Sequence, residues 1–359
     1  MPRIDSFLRL VAEQSASDLH ISAGVVPTIR HDGKLRKLPF RILSEMETSR
    51  LLLEILTPEQ RQQLASDHEF DFVYPLPGVA RFRASYAHQA RGLTGVFRVI
   101  SERIPSLDEL RVPPAIRRLT ELTNGLILVT GPTGAGKTTT LAAMINEINQ
   151  TKARHIITVE DPIEFVHQPI RSLPTQRQVG RHVESFSAAL RSALREAPDV
   201  LVIGELRDSE TIQLALSAAE TGVLVFGSLH TNTAATAVDR ILDSSPEESR
   251  EQVRGVLSVL LRAIVAQHLV KRARGEGRIA AFEILLQSYA VSHLIREGKI
   301  HQIDALLQSA EHAGSGMLSL DTCLYQFLVK GLIDLDDALS VAKDPEHLRK
   351  MASEIPDDA

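Results

Sequence analysis

The stretch Gly131-Pro-Thr-Gly-Ala-Gly-Lys-Thr138 holds the residues whose types and spacing can do chemistry. Every fixed position of the Gly-x4-Gly-Lys-Ser/Thr pattern is met. Glycines let backbone N–H groups turn into one concavity, and a helix starting there adds partial positive charge. Nucleotide phosphates are the expected occupant. Gly131, Pro132, Thr133, Gly134, Ala135 and Gly136 would form the cradle. Lys137 would reach the β- and γ-phosphates, and Thr138, with Thr139 next to it, would offer a hydroxyl to Mg²⁺. The pattern carries this meaning only between a strand and a helix. Leu126-Ile-Leu-Val129 supplies a strand-like run before it, and Leu141-Ala-Ala-Met-Ile145 a helix-like run after it.

Turnover needs more than binding: a water must be aligned and the charge of the transferring group neutralised. Val200-Leu-Val-Ile203 runs into Gly204-Glu205 and resembles a Walker B strand. The usual Asp is a glycine, so Glu205 would serve the metal or its water shell; its ordinary alternative is a solvated glutamate. Ile157-Thr-Val-Glu160-Asp161-Pro-Ile-Glu164-Phe165 places three carboxylates in five residues. They repel one another unless a metal or base is near. Glu160 would lie on the metal side, and Glu164 would polarise the attacking water. Gly227-Ser-Leu-His230-Thr-Asn232 follows another apolar run, and His230 would sense the γ-phosphate or serve as a buried structural histidine.

These motifs must be positioned by strands and helices. From about 115 to 270 the pattern is strand, loop, helix, repeated. Strands are expected at 126–130, 155–159, 200–203 and 223–227, and helices at 137–149, 185–196, 208–220 and 249–268. Such alternation predicts a parallel sheet covered by helices. A further strand is expected near 278–284, then helices to the C-terminus. Before this region, 3–14, 44–55 and 58–66 read as helices, and Asp32-Gly33 as a hairpin turn. Residues 70–74, 80–86 and 95–100 alternate as half-buried strands, with Phe82, Ala84 and Tyr86 on one face. The expected division is a small α/β domain over 1–100, a proline-rich linker over 101–114, a nucleotide-binding domain over 115–285 and a helical region over 286–359.

Composition narrows the class. The 359 residues carry a net charge of -5, with no tryptophan and 4% aromatics. That leaves little basic footprint or stacking surface for nucleic acid. One cysteine, Cys323, excludes an intrachain disulfide and any zinc cluster built of cysteines. The N-terminus shows no apolar signal core. Leu257 to Val270 is broken by Arg262, Gln267 and His268 and is too short to span a bilayer. A soluble cytoplasmic protein is expected.

Taken together, these motifs resemble the ATPase superfamily that powers type II and type IV secretion and type IV pili, and most of all its pilus retraction ATPases. The matching stretches are Ala16-Ser-Asp-Leu-His-Ile21, the phosphate loop, 157–165, Pro198 to Asp208, Ala218-Ala-Glu-Thr-Gly222, Leu229-His-Thr-Asn232 and Leu294-Ile-Arg-Glu-Gly-Lys299. Departures are Ala135 and Thr138 for expected serines, and Leu206 for methionine. The resemblance implies a PAS-like N-terminal domain, a RecA-like motor domain with a helical C-terminal extension, ATP and Mg²⁺ as cofactors, and a homohexameric ring. It implies that arginines of the N-terminal domain approach the phosphates, which points to Arg81, Arg83 and Arg98; a planar guanidinium suits that charge, and alternating Arg and Phe also suits any half-exposed strand. Arg191 and Arg195, one helical turn apart, would face the site, a neighbouring subunit, or surface ion-pair partners. It further implies an inner-membrane pilus platform protein and a paralogous retraction ATPase as partners, no nucleic acid, a place at the pilus base, and a coupling role for Arg296 and Lys299. Assembly and secretion ATPases are the alternative; they usually carry a longer N-terminal region and a four-cysteine zinc motif, and the single Cys323 cannot build the latter, so a retraction ATPase is the expectation. A nucleic-acid motor and a non-catalytic regulator are the remaining classes.

Overall fold

The computed structural model describes residues 2–355 apart from 15, 32, 101, 102, 276 and 313. Two units emerge, Met1–Arg103 and Ile104–Ala359. In the first, the order is α1 (Ile4–Glu13), β1 (Asp18–Ser22), β2 (Thr28–His31), β3 (Lys34–Lys37), α2 (Glu45–Leu53), α3 (Pro58–Asp67), β4 (Glu69–Leu76), β5 (Ala80–Gln89) and β6 (Gly92–Ile100). The strands form one antiparallel sheet ordered β3-β2-β1-β6-β5-β4. Asp32 of the expected turn lies outside the described residues, while the flanking strands pair with His31 opposite Lys34.

Alternation decides which face is covered. Ile4, Leu8 and Val11 of α1 recur at helical spacing and bury with Leu51 and Leu52 of α2 against Leu19, Ile21, Phe82, Tyr86 and Phe97. Tyr86 lies edge-on to Phe72 and Phe97 and donates its hydroxyl to Leu52 O at 3.0 Å. Burial raises its pKa. The helices start where the sequence caps them: Ser44 with Glu47, and Thr57 with Gln60, form reciprocal capping boxes.

The second unit contains α4 (Pro114–Leu119), β7 (Gly125–Thr130), α5 (Lys137–Thr151), β8 (His155–Glu160), β9 (Leu173–Gln178), α6 (Phe186–Ala193), β10 (Val200–Ile203), α7 (Ser209–Glu220), β11 (Leu224–Leu229), α8 (Ala234–Asp243), α9 (Glu247–Leu260), β12 (Leu261–Lys271) and β13 (Arg278–Leu286). Helices α10 (Tyr289–Arg296), α11 (Ile303–His312), α12 (Leu320–Val329), α13 (Leu335–Leu339) and α14 (Pro345–Ser353) complete it. Its sheet is ordered β13-β12-β7-β11-β10-β8-β9, parallel except for β13. Both faces are covered, so β7, β10 and β11 are buried end to end. One face packs on α4 and α5 through Ile127, Val129, Met144 and Val265, the other on α6 to α10 through Leu128, Leu201, Ile212, Val238 and Ile264. Leu320, Leu324 and Leu348 of the last helices bury against Val270 and Ile279.

Three local expectations change. The helix expected over 249–268 stops at Leu260, and Leu261–Lys271 is a strand. A central strand buried on both faces is a continuous apolar run, and periodicity alone cannot tell it from a buried helix. Strand β9 was not expected: its sequence, Leu-Pro-Thr-Gln-Arg-Gln, is polar and carries Pro174, which only an edge strand tolerates. Helix α8 is a further element outside the expected set, although Ala234, Ala237, Val238 and Ile241 have helical spacing. The Leu294–Lys299 stretch holds the end of helix α10. Leu294 and Ile295 are buried, Arg296 and Lys299 exposed. Gly298 turns with φ 69° while Lys299 N donates to Leu294 O and Gly298 N to Ile295 O, a Schellman stop.

From Ile104 the stretch expected as a linker belongs to the second unit; Ser101 and Glu102 lie outside the described residues. Leu107 is buried in the cluster of Ile116, Leu119 and Ile127. Leu107→Ala should therefore destabilise the second unit by about 2–5 kcal/mol. A free linker would tolerate the change within about 0.5 kcal/mol. Urea unfolding of the two proteins, with equal m-values, separates these outcomes.

Candidate functional site

The site is built on the C-terminal edge of the parallel sheet, where open α/β sheets hold ligands. Register sets who meets there. Thr130 ends β7 opposite Leu229 of β11 and Ala266 of β12, so Gly131, His230 and Gln267 come out level. Ile203 of β10 pairs with Val159 of β8 and Gly227 of β11, which brings Gly204-Glu205 between Glu160 and Ser228.

The phosphate loop has the strand–loop–helix context its pattern requires. Gly131, Gly134 and Gly136 have φ of 144°, 79° and 86°, the last directly before the 15-residue helix α5. Pro132, Thr133, Gly134 and Thr138 are exposed, Gly136 and Thr139 half-buried, and Ala135 buried. Lys137 is 8% exposed. Its Nζ donates to Gly131 O at 2.8 Å and Pro132 O at 3.1 Å. Burial pulls its pKa down, and the charge of Glu205 opposes that.

His230 joins this lysine to Glu205. Lys137 Nζ lies 3.3 Å from His230 Nδ1 and Thr133 Oγ1 lies 3.5 Å from it. With the ammonium as donor, Nδ1 is the acceptor and Nε2 carries the proton. Nε2 lies 3.5 Å from Glu205 Oε1, while Arg207 Nε donates to Glu205 Oε2 at 2.7 Å. Ser228 Oγ donates to Gly204 O, and Leu206 N to Ser228 O at 3.0 Å, which fixes the turn that presents Glu205.

Glu160 ends β8, with Oε1 accepting from Thr158 Oγ1 at 2.6 Å and Gln176 Nε2 at 3.0 Å. Gln176 also donates to Phe165 O and accepts from His167 N, holding the loop that carries half-buried Glu164. Buried His167 has its pKa lowered to about 4 by desolvation. A magnesium ion at a nucleotide site takes one or two protein oxygens plus phosphates and waters; exposed Thr138 and half-buried Glu205 offer such oxygens.

The three expected arginines lie in the first unit, on the sheet face opposite Phe82 and Phe97. Arg83 stands opposite Arg98 in register. Arg83 pairs with Asp71 at 3.2 Å and Arg98 with buried Asp18 at 2.8 Å. Arg81 projects from the same face of β5. Arg191 pairs with Glu210, and Arg195 donates to Arg191 O at 2.7 Å, so both have local partners.

Sequence reasoning missed Gln267, which served there only as a polar break. It is 2% exposed. Its Nε2 donates to Ala135 O at 2.7 Å and its Oε1 accepts from Thr140 Oγ1 at 2.7 Å. A glutamine inside Ala263-Ile-Val-Ala-Gln-His-Leu-Val270 was the available signal, because a polar group buried in such a run needs partners. Gln176 and Thr158 were missed too: Gln176 lies on the polar edge strand β9, which gave no pattern to find it by, and Thr158 lies on β8 within the quoted acidic stretch, where it reads as an ordinary strand residue.

A family profile described as Type II/IV secretion system protein matches residues 1–316. The type IV pilus retraction ATPase PilT of Pseudomonas aeruginosa is 46% identical over 344 residues, 96% of this chain and 99% of that protein. A twitching motility protein of Neisseria gonorrhoeae is 46% identical over 96% of this chain and 91% of its own length. The crystal structure of the pilus retraction motor PilT with bound ADP superimposes with a TM-score of 0.87 at 42% identity, covering 96% of this chain and 98% of that one. The DotB ATPase of Legionella pneumophila follows at a TM-score of 0.81 and 28% identity, covering 95% of each chain. With the phosphate loop, Glu205 and His230 assembled on one sheet edge and likeness across nearly the whole length, the chain belongs to the type II/IV secretion system protein family, among its pilus retraction ATPases.

Proposed function

We propose that this chain is a mechanical ATPase that hydrolyses ATP to retract type IV pili. The observation that carries this reading is the 46% identity to a pilus retraction ATPase over 96% of the chain, with His230 in contact with both the phosphate-loop lysine and Glu205. The type II secretion ATPase E of Vibrio cholerae is less similar, 36% identical over 75% of this chain and 53% of its own length, which weighs against the assembly and secretion reading. Deleting the gene and counting surface pili tests the choice. Excess pili that do not retract are expected; bald cells would mean assembly.

In this reading the backbone of Gly131 to Gly136 and Lys137 bind the phosphates. Thr138 and Glu205 would hold Mg²⁺, with Glu160 on the metal side facing its water shell, and the ion would neutralise phosphate charge. Glu164 polarises the attacking water, and His230 touches the γ-phosphate as a donor. Residues 1–100 form the PAS-like domain, 115–285 the RecA-like motor and 286–359 its helical extension. Among the described residues no helix is long and apolar enough to cross a membrane. The chain works in the cytoplasm at the inner-membrane base of the pilus, on a platform protein there, beside a paralogous retraction ATPase, and without nucleic acid. The exposed Arg296 and Lys299 couple the motor to that machinery.

Lys137→Ala should weaken ATP binding roughly 10- to 100-fold, since a charge-assisted contact to phosphate is lost. Glu205→Gln should keep ATP affinity and lose turnover, because it leaves the phosphate cradle intact. Excess EDTA should stop phosphate release by the wild type. Equal phosphate release from Glu205→Gln and wild type would remove Glu205 from its role.

Arg81, Arg83 and Arg98 act in trans at the junctions of a homohexamer. An Arg83→Ala chain and a Glu205→Gln chain, each without turnover, should therefore regain part of the activity when their subunits are mixed. Zero activity in mixtures with proven subunit exchange would mean the sites are not shared.

A further inference from the structure

Strands β12 and β13 lie outside the phosphate-loop, acidic and histidine motifs, yet they reach two of those motifs from opposite faces of the sheet. On the α5 face, Gln267 holds Ala135 O and Thr140 Oγ1, each at 2.7 Å. Its atoms also explain two glycines of the loop. A Cβ on Gly131 would stand 2.3 Å from Gln267 O, and one on Gly136 would stand 2.9 Å from Gln267 Nε2. The next residue faces the other way. His268 Nε2 lies 2.9 Å from Asn232 O; a carbonyl only accepts, so the histidine donates. Across the rung, Glu283 pairs with Ala266, is 2% exposed, and accepts the backbone N–H of Ala234 at 2.7 Å. Ala234 is the first residue of α8, four positions after His230.

Glu283 is buried deeply enough that desolvation raises its pKa; the Ala234 N–H and Lys343 oppose this, while Asp304 and Asp321 add to it. Glu283 and His268 together hold the first N–H of α8 and the carbonyl of Asn232. What they fix is the start of α8 and the loop from His230 to Thr233.

We propose that the β12–β13 hairpin is a two-sided clamp, with Gln267 a positioning residue for the phosphate cradle and Glu283 a positioning residue for the His230 loop. The proposal rests on the reading of the site as ATP-hydrolysing. The two sides act on different parts of the nucleotide. Gln267 keeps the cradle formed before the ligand arrives, so its loss makes binding supply that order. Glu283 places a donor meant for the γ-phosphate, which ADP lacks, and a misplacement of about 1 Å at such a group can cost about 100-fold in rate.

The test is a split between affinity and turnover in the full chain. A fluorescent ADP analogue gives affinity, phosphate release from ATP gives kcat, and melting temperature is taken on every protein. Gln267→Leu should weaken ADP about tenfold or more, because Ala135 O and Thr140 Oγ1 lose their partner. Thr140→Val should move affinity the same way by less, and stands in if Gln267→Leu does not fold. Glu283→Ala should leave ADP affinity within about twofold and lower kcat about tenfold or more. Glu283→Asp withdraws the acceptor by one methylene and replaces it if the alanine variant does not fold. Glu283→Gln should restore kcat, since its carbonyl oxygen accepts the same N–H. Unchanged ADP affinity in both Gln267→Leu and Thr140→Val would overturn the cradle half. Unchanged kcat in Glu283→Ala, or equal loss of affinity and kcat at both positions with lowered melting temperature, would overturn the clamp. Wild-type protein that binds ADP and releases no phosphate would sink the hydrolysis reading, while ADP affinity would still decide Gln267.

Discussion

Gly131 has no room for a side chain, because the Gln267 carbonyl oxygen would lie 2.3 Å from its Cβ. That close approach of two backbones is the constraint on which the rest of the site depends. It requires β12 to run beside β7 in parallel register, with Ala266 level with Thr130. It therefore requires a sheet buried on both faces, since only then is a strand like Leu261–Lys271 stable in the middle. The φ of 144° at Gly131 belongs to glycine for a second reason, that an L side chain rarely adopts it. Both reasons act at one residue and send the chain out of β7 into the glycine-rich loop that leads to α5. That helix then places Lys137 back over its own start.

The lysine explains the charge pattern around it. Its ammonium is buried and satisfied by two carbonyls of the loop it serves, Gly131 O and Pro132 O. Burial alone would favour the neutral amine; Glu205 opposes that through space, and His230 spans the gap between them. Arg207, Glu205, His230 and Lys137 form a line in which each group touches the next. Contact within the line means that a change at one end is felt at the other. A phosphate oxygen that drew Lys137 off its carbonyls would move the donor that faces His230 Nδ1, and through Nε2 the change would reach the carboxylate beyond.

The sequence made the chemistry more legible than the scaffold. Gly136-Lys137-Thr138, Glu205 and His230 could be read as motifs from their types and spacings, and register brings His230 into contact with both the lysine and the glutamate. The scaffold was legible where one face is wet, as in β5, where Phe82, Ala84 and Tyr86 alternate with Arg81, Arg83 and Ser85. It was illegible where both faces are dry or both are polar. Leu261–Lys271 has no period to distinguish strand from helix, and Leu173–Gln178 has no apolar face at all. Gln267 and Gln176 were lost with those two strands. Both are uncharged amides whose importance lies in their partners, Ala135 O and Glu160, and partners are a property of the fold.

The glycine at the place of the usual Walker B aspartate has a reason in the packing. Gly204 N donates to Val159 O at 2.8 Å, so the ends of β8 and β10 are drawn together there. A Cβ on Gly204 would lie 3.1 Å from Val159 O and 3.2 Å from the Glu160 Cα, both backbone atoms that cannot rotate aside. An aspartate would press the two strands apart at the point where Glu160 and Glu205 emerge. The same economy of space recurs on the other side, where a Cβ on Gly227 would come within 2.7 Å of the Leu206 side chain. With both neighbours this close, the first carboxylate after β10 stands one residue later, at Glu205. There the chain has turned far enough for His230 and Arg207 to reach its two oxygens from different sides.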